Sequence, residues 1–274
     1  MSPDPDPNGI DPDPEAVLVG AGDIASCSVE SDAATAAILD GIAGTVFTAG
    51  DNAYQSGTQA EFENCYDPTW GRHKSRTRPV PGNHDYRTLD AGPYFDYFGA
   101  RAGPRGLGYY GYDLGSWHII ALNSNIDVGS DSPQAEWLRE DLAANPTLCA
   151  LAYWHHSRFS SGEKGNSNEM RHFWRILDEA GVEVVVSAHD HDYERFGLQD
   201  AQAVPDPNGM RSFVVGTGGD TLDAFVLVKP NSEVRNATAH GVLKLGLFPG
   251  RYEWEFLAVP GSVFSDRGVG LCAP

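Results

Sequence analysis

The chain has 274 residues, 41% of them hydrophobic and 11% aromatic, which is the composition of a globular protein able to bury a substantial core. Its formal net charge of −19 argues against a nucleic-acid surface, because such a surface would be basic. No uninterrupted apolar run approaches the ~18 residues that a membrane-spanning helix needs. The acidity does not exclude a phosphate-ester substrate, since bound cations would dominate the field at the reacting centre.

The beginning and the end of the chain differ from its middle. Residues 1–15 are dominated by proline and aspartate, so we predict an extended, disordered lead outside the fold. We expect residues 16–274 to form a single domain. Near its end, Val242–Leu247 and Tyr252–Phe256 flank a Pro-Gly turn, which predicts an antiparallel hairpin.

Between these ends, apolar runs and helix signals alternate, which predicts an α/β fold. In chain order, the predicted elements are a strand over Val17–Val19, a helix over Ser31–Leu39 closed by Gly41, a strand over Thr45–Ala49, a long aromatic and glycine-rich insertion over Tyr86–Gly115, a strand over Trp117–Leu122, a helix over Pro133–Ala144, a strand over Leu148–Trp154, a helix over Glu169–Ala180 and a strand over Val182–Ser187.

Five polar motifs directly follow apolar runs. A single Gly-Asp pair is commonly just a turn, but the repetition puts oxygen and imidazole donors at one edge of a sheet, where ligands bind in open α/β folds. Together they form a ligand set for two metal ions. The motifs are Gly22-Asp23, Gly50-Asp51-Asn52-Ala53-Tyr54, Gly82-Asn83-His84-Asp85, His155-His156 and His189-Asp190-His191.

The two adjacent histidines cannot both be ligands if they continue a regular strand. Successive side chains of a strand point to opposite faces, so we expect only one of the pair to reach a metal. We favour His155 over His156.

The four cysteines show no CxxC spacing, so a zinc–thiolate site is not expected. Of the three possible pairings we favour Cys27 with Cys65, since each lies shortly after one of the first two Gly-Asp segments. Cys149 could then staple the C-terminal end through Cys272, and four free thiols are the alternative. The chain start shows no signal peptide but looks like that of a mature exported protein, so we expect a secreted or extracytoplasmic location.

The order of the five motifs resembles that of the calcineurin-like metallophosphoesterases, and the segment Asp51-Asn52-Ala53-Tyr54 is similar to the purple acid phosphatase branch in particular. The resemblance covers residues 17 to about 196. It implies a four-layer α/β/β/α sandwich of two mixed sheets flanked by helices. It also implies that residues 16–274 are a catalytic domain that hydrolyses phosphate esters, monoesters first and diesters second.

The resemblance further implies two metal ions that share the carboxylate of Asp51. A phenolate from Tyr54 would favour Fe(III), so the expected pair is Fe(III) with divalent iron, zinc or manganese. On the matching positions, the ligands would be Asp23, Asp51, Tyr54 and His191 for the first ion, and Asp51, Asn83, His155 and His189 for the second.

Two such metals would lower the pKa of a shared water, and the hydroxide that bridges them would attack phosphorus in line. His84 would donate a proton to the leaving group or stabilise the phosphoryl oxygens, while Asp85 would orient His84 or cap the following turn. The expected partners are a small-molecule phosphate ester and inorganic phosphate. The sequence is silent on the oligomeric state.

Several nearby side chains are candidates for substrate contact. The insertion mostly packs against the sheet in our interpretation, with Tyr86 as the exception because it adjoins His84-Asp85. The candidates are Asn52, Tyr86, His156, Arg158, Tyr193 and Arg195.

The chain departs from the purple acid phosphatase pattern at three places: Ala25 replaces a glycine in the first motif, Ser157 replaces a proline after the fourth, and Ala188 replaces a glycine before the fifth. None of these changes removes a ligand, but they leave the shape of the pocket open. Two alternatives therefore remain: a phosphodiesterase or nucleotide hydrolase as the main activity, and a catalytically silent protein that binds metal or phosphate.

Overall fold

The computed structural model describes residues 13–147 and 149–273. Most of the predicted lead, residues 1–12, and the prediction for Leu148 therefore lie outside the described residues. The strand that follows the lead begins at Ala16. Just before it, the Glu15 carboxylate accepts a hydrogen bond from the backbone N–H of Ser116 (3.0 Å).

The strands are short and follow one another along the whole described chain. In chain order they are β1 (Ala16–Ala21), β2 (Ala25–Ser26), β3 (Thr45–Ala49), β4 (Ala53–Tyr54), β5 (Thr77–Val80), β6 (Tyr110–Leu114), β7 (Trp117–Ala121), β8 (Cys149–His156), β9 (Val184–Ala188), β10 (Tyr193–Phe196), β11 (Arg211–Val215), β12 (Ser232–Asn236), β13 (Gly241–Phe248), β14 (Arg251–Ala258) and β15 (Asp266–Leu271).

The helices are also short. The longest described helix has 12 residues, so none of those described has the length and apolar character of a membrane span. The α-helices are α1 (Ser31–Asp40), α2 (Gln59–Glu61), α3 (Gly92–Phe98), α4 (Pro133–Ala144) and α5 (Arg171–Glu179). A π-helical turn covers Phe62–Tyr66, and short 3-10 turns cover Trp70–Arg76, Asp85–Arg87, Leu89–Ala91 and Gly99–Ala102.

Two mixed sheets form the centre of the fold. The first has the order β15-β14-β13-β1-β3-β5, in which β1, β3 and β5 are parallel. The second has the order β12-β10-β11-β9-β8-β7-β6, in which β7, β8, β9 and β11 are parallel. Because the parallel strands of a sheet run the same way, their carboxyl ends meet at one edge of it.

The sheets pack face to face, and helices cover their outer faces. Successive side chains of β8 show this arrangement, since Tyr153 meets Phe47 of the first sheet (ring centroids 5.7 Å apart) and Trp154 meets Trp174 of α5 (6.2 Å). Helix α1 packs against β13 of the first sheet. The predicted four-layer α/β/β/α sandwich of two mixed sheets is therefore confirmed.

The predicted insertion over residues 86–115 is more regular than the sequence suggested. It contains α3 and the edge strand β6. Tyr94, Phe95 and Phe98 of α3 are buried, and the Tyr94 hydroxyl donates to the carbonyl of Pro79 (3.1 Å). The interpretation that these aromatic residues mainly pack against the sheet is thus correct.

Two disulfides connect the cysteines in the predicted pairs. Cys27 bonds to Cys65, and Cys149 bonds to Cys272, with Cα–Cα distances of 5.0 and 5.5 Å. The second bond joins the start of β8 in one sheet to the end of β15 in the other. Its two cysteines are 123 residues apart in the sequence. In the chain-entropy description, a disulfide that closes a loop of this length stabilises the fold by about 4–5 kcal/mol. This disulfide therefore links the two sheets covalently, at the start of β8 and the end of β15.

Candidate metal centre

The five predicted motifs converge where the carboxyl edges of the two sheets meet. Asp23, Asp51 and Asn83 follow β1, β3 and β5 of the first sheet. His155 lies near the end of β8, and His189 follows β9 of the second sheet. Neighbouring parallel strands thus bring to one place residues that lie far apart in the sequence.

The backbone is strained at three of these positions. Asp23, Asp51 and His189 have φ angles of +57°, +48° and +74°, which non-glycine residues rarely adopt and which cost on the order of 1–3 kcal/mol each. Gly50, with φ of +86°, lies so close to the second sheet that a Cβ atom there would be 2.6 Å from Nδ1 of His155. Such strain is concentrated at functional sites.

One group of ligand atoms surrounds the Tyr54 hydroxyl. The hydroxyl oxygen lies 2.7 Å from Oδ1 of Asp23, 3.0 Å from Oδ2 of Asp51 and 3.2 Å from Nε2 of His191. Nε2 of His191 is 3.3 Å from Oδ1 of Asp23. Both carboxylates are almost completely buried, so little water can reach these polar atoms to form hydrogen bonds with them.

A second group surrounds Nε2 of His155. This atom lies 3.0 Å from Oδ1 of Asn83, 3.1 Å from Nδ1 of His189 and 3.3 Å from Oδ2 of Asp51. The carboxylate atoms of Asp23 and Asp51 and the His155 nitrogen also lie within 4.8 Å of one another. Oδ2 of Asp51 therefore belongs to both groups.

Backbone carbonyls orient two of the imidazoles. Nδ1 of His155 lies 2.8 Å from the carbonyl of Ala49, and Nδ1 of His191 lies 2.7 Å from the carbonyl of Thr221. Because a carbonyl oxygen only accepts, each Nδ1 carries the hydrogen, and in the neutral ring Nε2 presents its lone pair to the centre. Histidines that bind metals are commonly held in this way.

The charged groups of the centre perturb one another strongly. Burial would raise the pKa of the Asp23 and Asp51 carboxyls, but the facing His191 and His155 imidazoles outweigh burial and hold both pKa values below the usual range. Burial would lower the pKa of the two histidines, and the carboxylates instead raise each to about 9. Both carboxylates are thus held ionised, the form that binds a cation.

The spacing of the atoms around Nε2 of His155 fits one metal ion. With a metal–ligand bond of about 2.1 Å and angles of about 90–109°, neighbouring ligand atoms lie about 3.0–3.4 Å apart. The separations in the second group are 3.0, 3.1 and 3.3 Å. The donors are carboxylate, phenol, amide and imidazole groups, which suit iron, zinc or manganese.

His84 lies on the open side of the centre. Its backbone N–H donates to Oδ1 of Asp51 (2.7 Å), and its ring centroid is 4.5 Å from that of Tyr54. Nε2 of His84 lies 3.9 Å from Oδ2 of Asp51, and its side chain is 16% exposed. The ring is therefore both near the candidate ligands and reachable from solvent.

Asn52 and Asp85 lie beneath the centre rather than at its surface, and both are fully buried. Oδ2 of Asp85 accepts hydrogen bonds from the Gly82 N–H (2.9 Å) and from Nδ2 of Asn52 (2.9 Å), which also donates to the carbonyl of Val80 (3.1 Å). Burial raises the pKa of Asp85 to about 7. The Asp85 carboxylate therefore holds the preceding turn at Gly82 and the Asn52 side chain, rather than the following turn or the His84 ring. Substrate contact by Asn52 stays a prediction.

The expectation that His155 and His156 diverge does not hold. The register of β8 shifts between Tyr153 and His156, so the two rings do not follow the alternation of a regular strand. Ring nitrogens of His155, His156 and His189 lie within 4.8 Å of one another. Nδ1 of His156 also lies 2.8 Å from Oγ of Ser124. His156 therefore borders the second group.

The sequence analysis assigned no role in the site to the polar segment that follows β7, which includes Asn123 and Ser124. Nδ2 of Asn123 donates to the Tyr86 hydroxyl (2.8 Å), and Ser124 holds His156. Tyr86 and Ile126 also line a cavity of about 480 Å³, together with Leu89 and Arg105. A polar run directly after an apolar strand is the signal that identified the other five motifs, and it could have identified this one.

Three of the expected substrate contacts lie elsewhere. The Tyr193 hydroxyl and Nε of Arg195 both donate to Oδ2 of Asp266 (2.7 Å each), which begins β15 of the first sheet. Nη1 of Arg158 donates to Oδ1 of Asn168 (3.1 Å). Tyr193 and Arg195 connect the two sheets, and none of the three contacts the candidate ligands.

Comparison with known proteins identifies relatives of this chain. A model of the calcineurin-like phosphoesterase family matches residues 10–193. Purple acid phosphatase 22 of Arabidopsis thaliana is 32% identical over 151 residues, which cover 50% of this chain and 34% of that protein. Probable purple acid phosphatase 20 of the same plant is 26% identical over 227 residues, covering 71% and 53%. The chain thus spans about a third to a half of these relatives.

Solved structures share the fold at lower identity. A purple acid phosphatase isolated from yellow lupin (Lupinus luteus) seeds has a TM-score of 0.75 and 18% identity, covering 93% of this chain and 53% of that one. GAP50, described as the anchor in the inner membrane complex of Plasmodium, has a TM-score of 0.71 and 13% identity, covering 92% and 88%. At these identities the likeness shows the fold alone.

Proposed function

Since this chain belongs to the calcineurin-like phosphoesterase family, on its purple acid phosphatase-like branch, we propose that it hydrolyses phosphate esters at a binuclear metal centre. One observation carries the proposal: two groups of buried ligand atoms share Oδ2 of Asp51. The proposed substrates are monoesters first and diesters second. We further propose that residues 16–274 form one catalytic domain.

We assign the ligands as the resemblance implied. When bound, the two ions lower the pKa of a coordinated water and neutralise charge on the phosphoryl oxygens. Asp51 contributes one carboxylate to both sites, and Asn83 adds an oxygen without further negative charge. The remaining proposed ligands are Asp23, Tyr54 and His191 for one ion, and His155 and His189 for the other.

His84 is proposed to assist the departure of the leaving group. A water oxygen forms a bond to phosphorus while the bond from phosphorus to the leaving-group oxygen breaks. The leaving-group oxygen then needs a proton. Nε2 of His84 faces the open side of the centre, 3.9 Å from Oδ2 of Asp51, so it can reach an atom bound there. General acid assistance of this kind is worth roughly 10²–10⁴ in rate.

The assay that tests the proposal combines metal analysis with turnover of nitrophenyl phosphate and its bis-ester analogue. We expect two metal ions per chain, faster hydrolysis of the monoester, and loss of both activities after chelation. If protein that holds two metals hydrolyses neither ester nor any member of a wider phosphate panel, the enzyme assignment is wrong.

The identity of the first metal depends on Tyr54. We propose Fe(III) paired with divalent iron, zinc or manganese, because a phenolate ligand favours the ferric ion. Iron-loaded protein should show a visible charge-transfer band that disappears in Tyr54→Phe, while the metal content stays at one ion or more. A fully iron-loaded wild-type protein without such a band would contradict the tyrosinate assignment.

A catalytically silent protein that binds metal or phosphate is the second candidate. One observation favours it: the fold is shared with a protein described as an anchor. The presence of His84 and of every proposed ligand supports the enzyme instead. The turnover assay above separates the two, and it also shows whether diester or nucleotide hydrolysis is the main activity.

We propose a secreted or extracytoplasmic location. The support is the pair of disulfides, Cys27–Cys65 and Cys149–Cys272, which together use all four cysteines. Disulfides form and persist in oxidising compartments and are rare in the cytosol.

A further inference from the structure

A pocket of about 380 Å³ lies beside the start of helix α5 and shares no residue with the candidate metal centre. Among the described residues that line it none is acidic, although the whole chain has 38 aspartate and glutamate residues against 19 lysine and arginine residues. The lining residues of this arginine pocket are Arg158, Arg171, His172, Arg175, Ala201 and Gln202. Since a water molecule occupies about 30 Å³ in the liquid, the pocket has room for a small ion and its waters.

Two of the three arginines have neutral hydrogen-bond partners in the part of the chain that the structure describes. Nη1 of Arg158 donates to Oδ1 of Asn168 (3.1 Å), and Nη1 of Arg171 donates to the carbonyl of the same residue (2.9 Å). Arg175 faces Glu179, whose Oε1 lies 3.9 Å from Nε, and both side chains are more than half exposed. An exposed ion pair of that length contributes little. The pocket therefore keeps positive charge available for an anion.

The basic groups of the arginine pocket also disfavour one another's charge. Burial lowers the pKa of the Arg158 guanidinium, and the neighbouring Arg171 lowers it further. Burial likewise lowers the pKa of His172, and Arg171 and Arg175 add to this effect. Asp131 acts on His172 in the opposite direction without cancelling the shift. An anion held among these side chains would compensate the repulsion between them.

The basic residues of α5 occupy positions that destabilise a helix. Arg171 and His172 begin α5, where the helix dipole is positive, and the first turn has no acidic residue. Arg171 and Arg175 are four residues apart, so like charges lie on the same face of the helix. The N-cap residue, Met170, makes no side-chain hydrogen bond to the first turn. An anion at this end of α5 would offset the dipole and the repulsion together.

We propose that the arginine pocket binds a tetrahedral oxyanion of the phosphate class, either free phosphate or a phosphate group carried by a larger molecule, at a site separate from the metal centre. The planar fork of a guanidinium matches two oxygens of such an anion. The net charge of −19 does not prevent binding, because exposed charges are screened beyond about 8 Å at physiological ionic strength. The inference goes beyond the proposed function and uses none of the proposed metal ligands.

Isothermal titration calorimetry of the metal-loaded protein at constant ionic strength tests the site with two probes, inorganic phosphate and phenylphosphonate, which carries a similar anion on a larger group. We expect wild-type protein to bind one phosphate in addition to any bound at the metal centre. Arg171→Gln should weaken this binding by about 10–100-fold, the range for loss of a charge-assisted hydrogen bond. Arg171→Lys should recover part of the affinity, because it restores the charge without the fork.

The two probes distinguish the sources of the anion. Binding of phosphate alone with this dependence on Arg171 supports a site for the free ion, and equal dependence for phenylphosphonate supports a site for a carried group.

Arg139→Gln is the matched control, since Arg139 is an exposed arginine of the neighbouring helix α4 that donates to the carbonyls of Ala135 and Ser130. It should bind both probes as wild-type protein does. Equal weakening in Arg139→Gln and Arg171→Gln would overturn the proposal, as would wild-type protein that binds neither probe outside the metal centre. The site should also persist in Asp51→Asn. Loss of the additional phosphate in that variant would assign it to the metal centre and overturn the proposal.

Discussion

Replacing Asp51 with asparagine is expected to abolish the metal pair and to lower turnover by more than about 100-fold. The carboxylate lies in both groups of ligand atoms, 3.0 Å from the Tyr54 hydroxyl and 3.3 Å from Nε2 of His155. An amide keeps an oxygen that can accept the His84 N–H but loses the negative charge that the two ions share. Removing a partner of a metal ligand already costs 10–100-fold, so loss of a shared ligand should cost more.

Metal analysis and turnover of the Asp51→Asn protein check this prediction. Asp113→Asn is a suitable control, because Asp113 is an exposed carboxylate that pairs with His118 outside the candidate centre. The control should keep both ions and wild-type turnover. An intact metal pair in Asp51→Asn would contradict the bridging role.

Gly82→Ala should disable the centre through packing alone, without changing any proposed ligand. A Cβ atom at this position would lie 2.0 Å from Oδ1 of Asp51 and 2.2 Å from its backbone nitrogen. Either the carboxylate or the turn that carries Asn83 must move. Overpacking typically costs 1–3 kcal/mol of stability, and a displacement of about 1 Å at a reacting centre can cost about 100-fold in rate.

The measurements are metal content, turnover and thermal unfolding of Gly82→Ala beside Gly92→Ala. The control position begins α3, and a Cβ atom there would have no heavy atom within 4 Å beyond its own helix backbone and chain neighbours, so we expect it to be neutral. Gly82→Ala should stay folded, unfold at a lower temperature and lose most of its turnover. Wild-type turnover in this variant would show that the close approach of Gly82 to Asp51 is not needed.

The sequence was most informative where local pattern and sheet geometry agree. Apolar runs followed by Gly-Asp or Gly-Asn predicted strands whose carboxyl ends meet, and the structure places Asp23, Asp51 and Asn83 at such ends. The helix over Pro133–Ala144 has the predicted bounds, because a proline start and a regular apolar spacing define it locally. The roles of these residues as metal ligands stay predictions.

The sequence was least informative where side-chain direction depends on an irregular backbone. Asn52 adjoins Asp51 but points beneath the centre, where it bonds to Asp85. His156 turns towards His189 because the register of β8 shifts just before it. Neither direction follows from the period-2 alternation of a regular strand.

Some strands also escaped prediction because they carry no apolar pattern. In β10, Glu194 is fully buried and accepts a hydrogen bond from the backbone N–H of Ser161 (2.7 Å), so a charged residue occupies an interior position. In β15, Gly268 lies where a Cβ would be 2.3 Å from the Trp254 ring, so a glycine makes room for a neighbouring side chain. Such positions are determined by tertiary contacts rather than by local propensity.

The central claim is that two metal ions share the carboxylate of Asp51. Anomalous diffraction from crystals of metal-loaded protein, recorded on both sides of the absorption edge of each metal, tests it most directly. We expect two peaks about 3.5–4 Å apart, one beside Asp23, Tyr54 and His191 and the other beside Asn83, His155 and His189. A single peak, or two peaks that do not share Asp51, would contradict the claim.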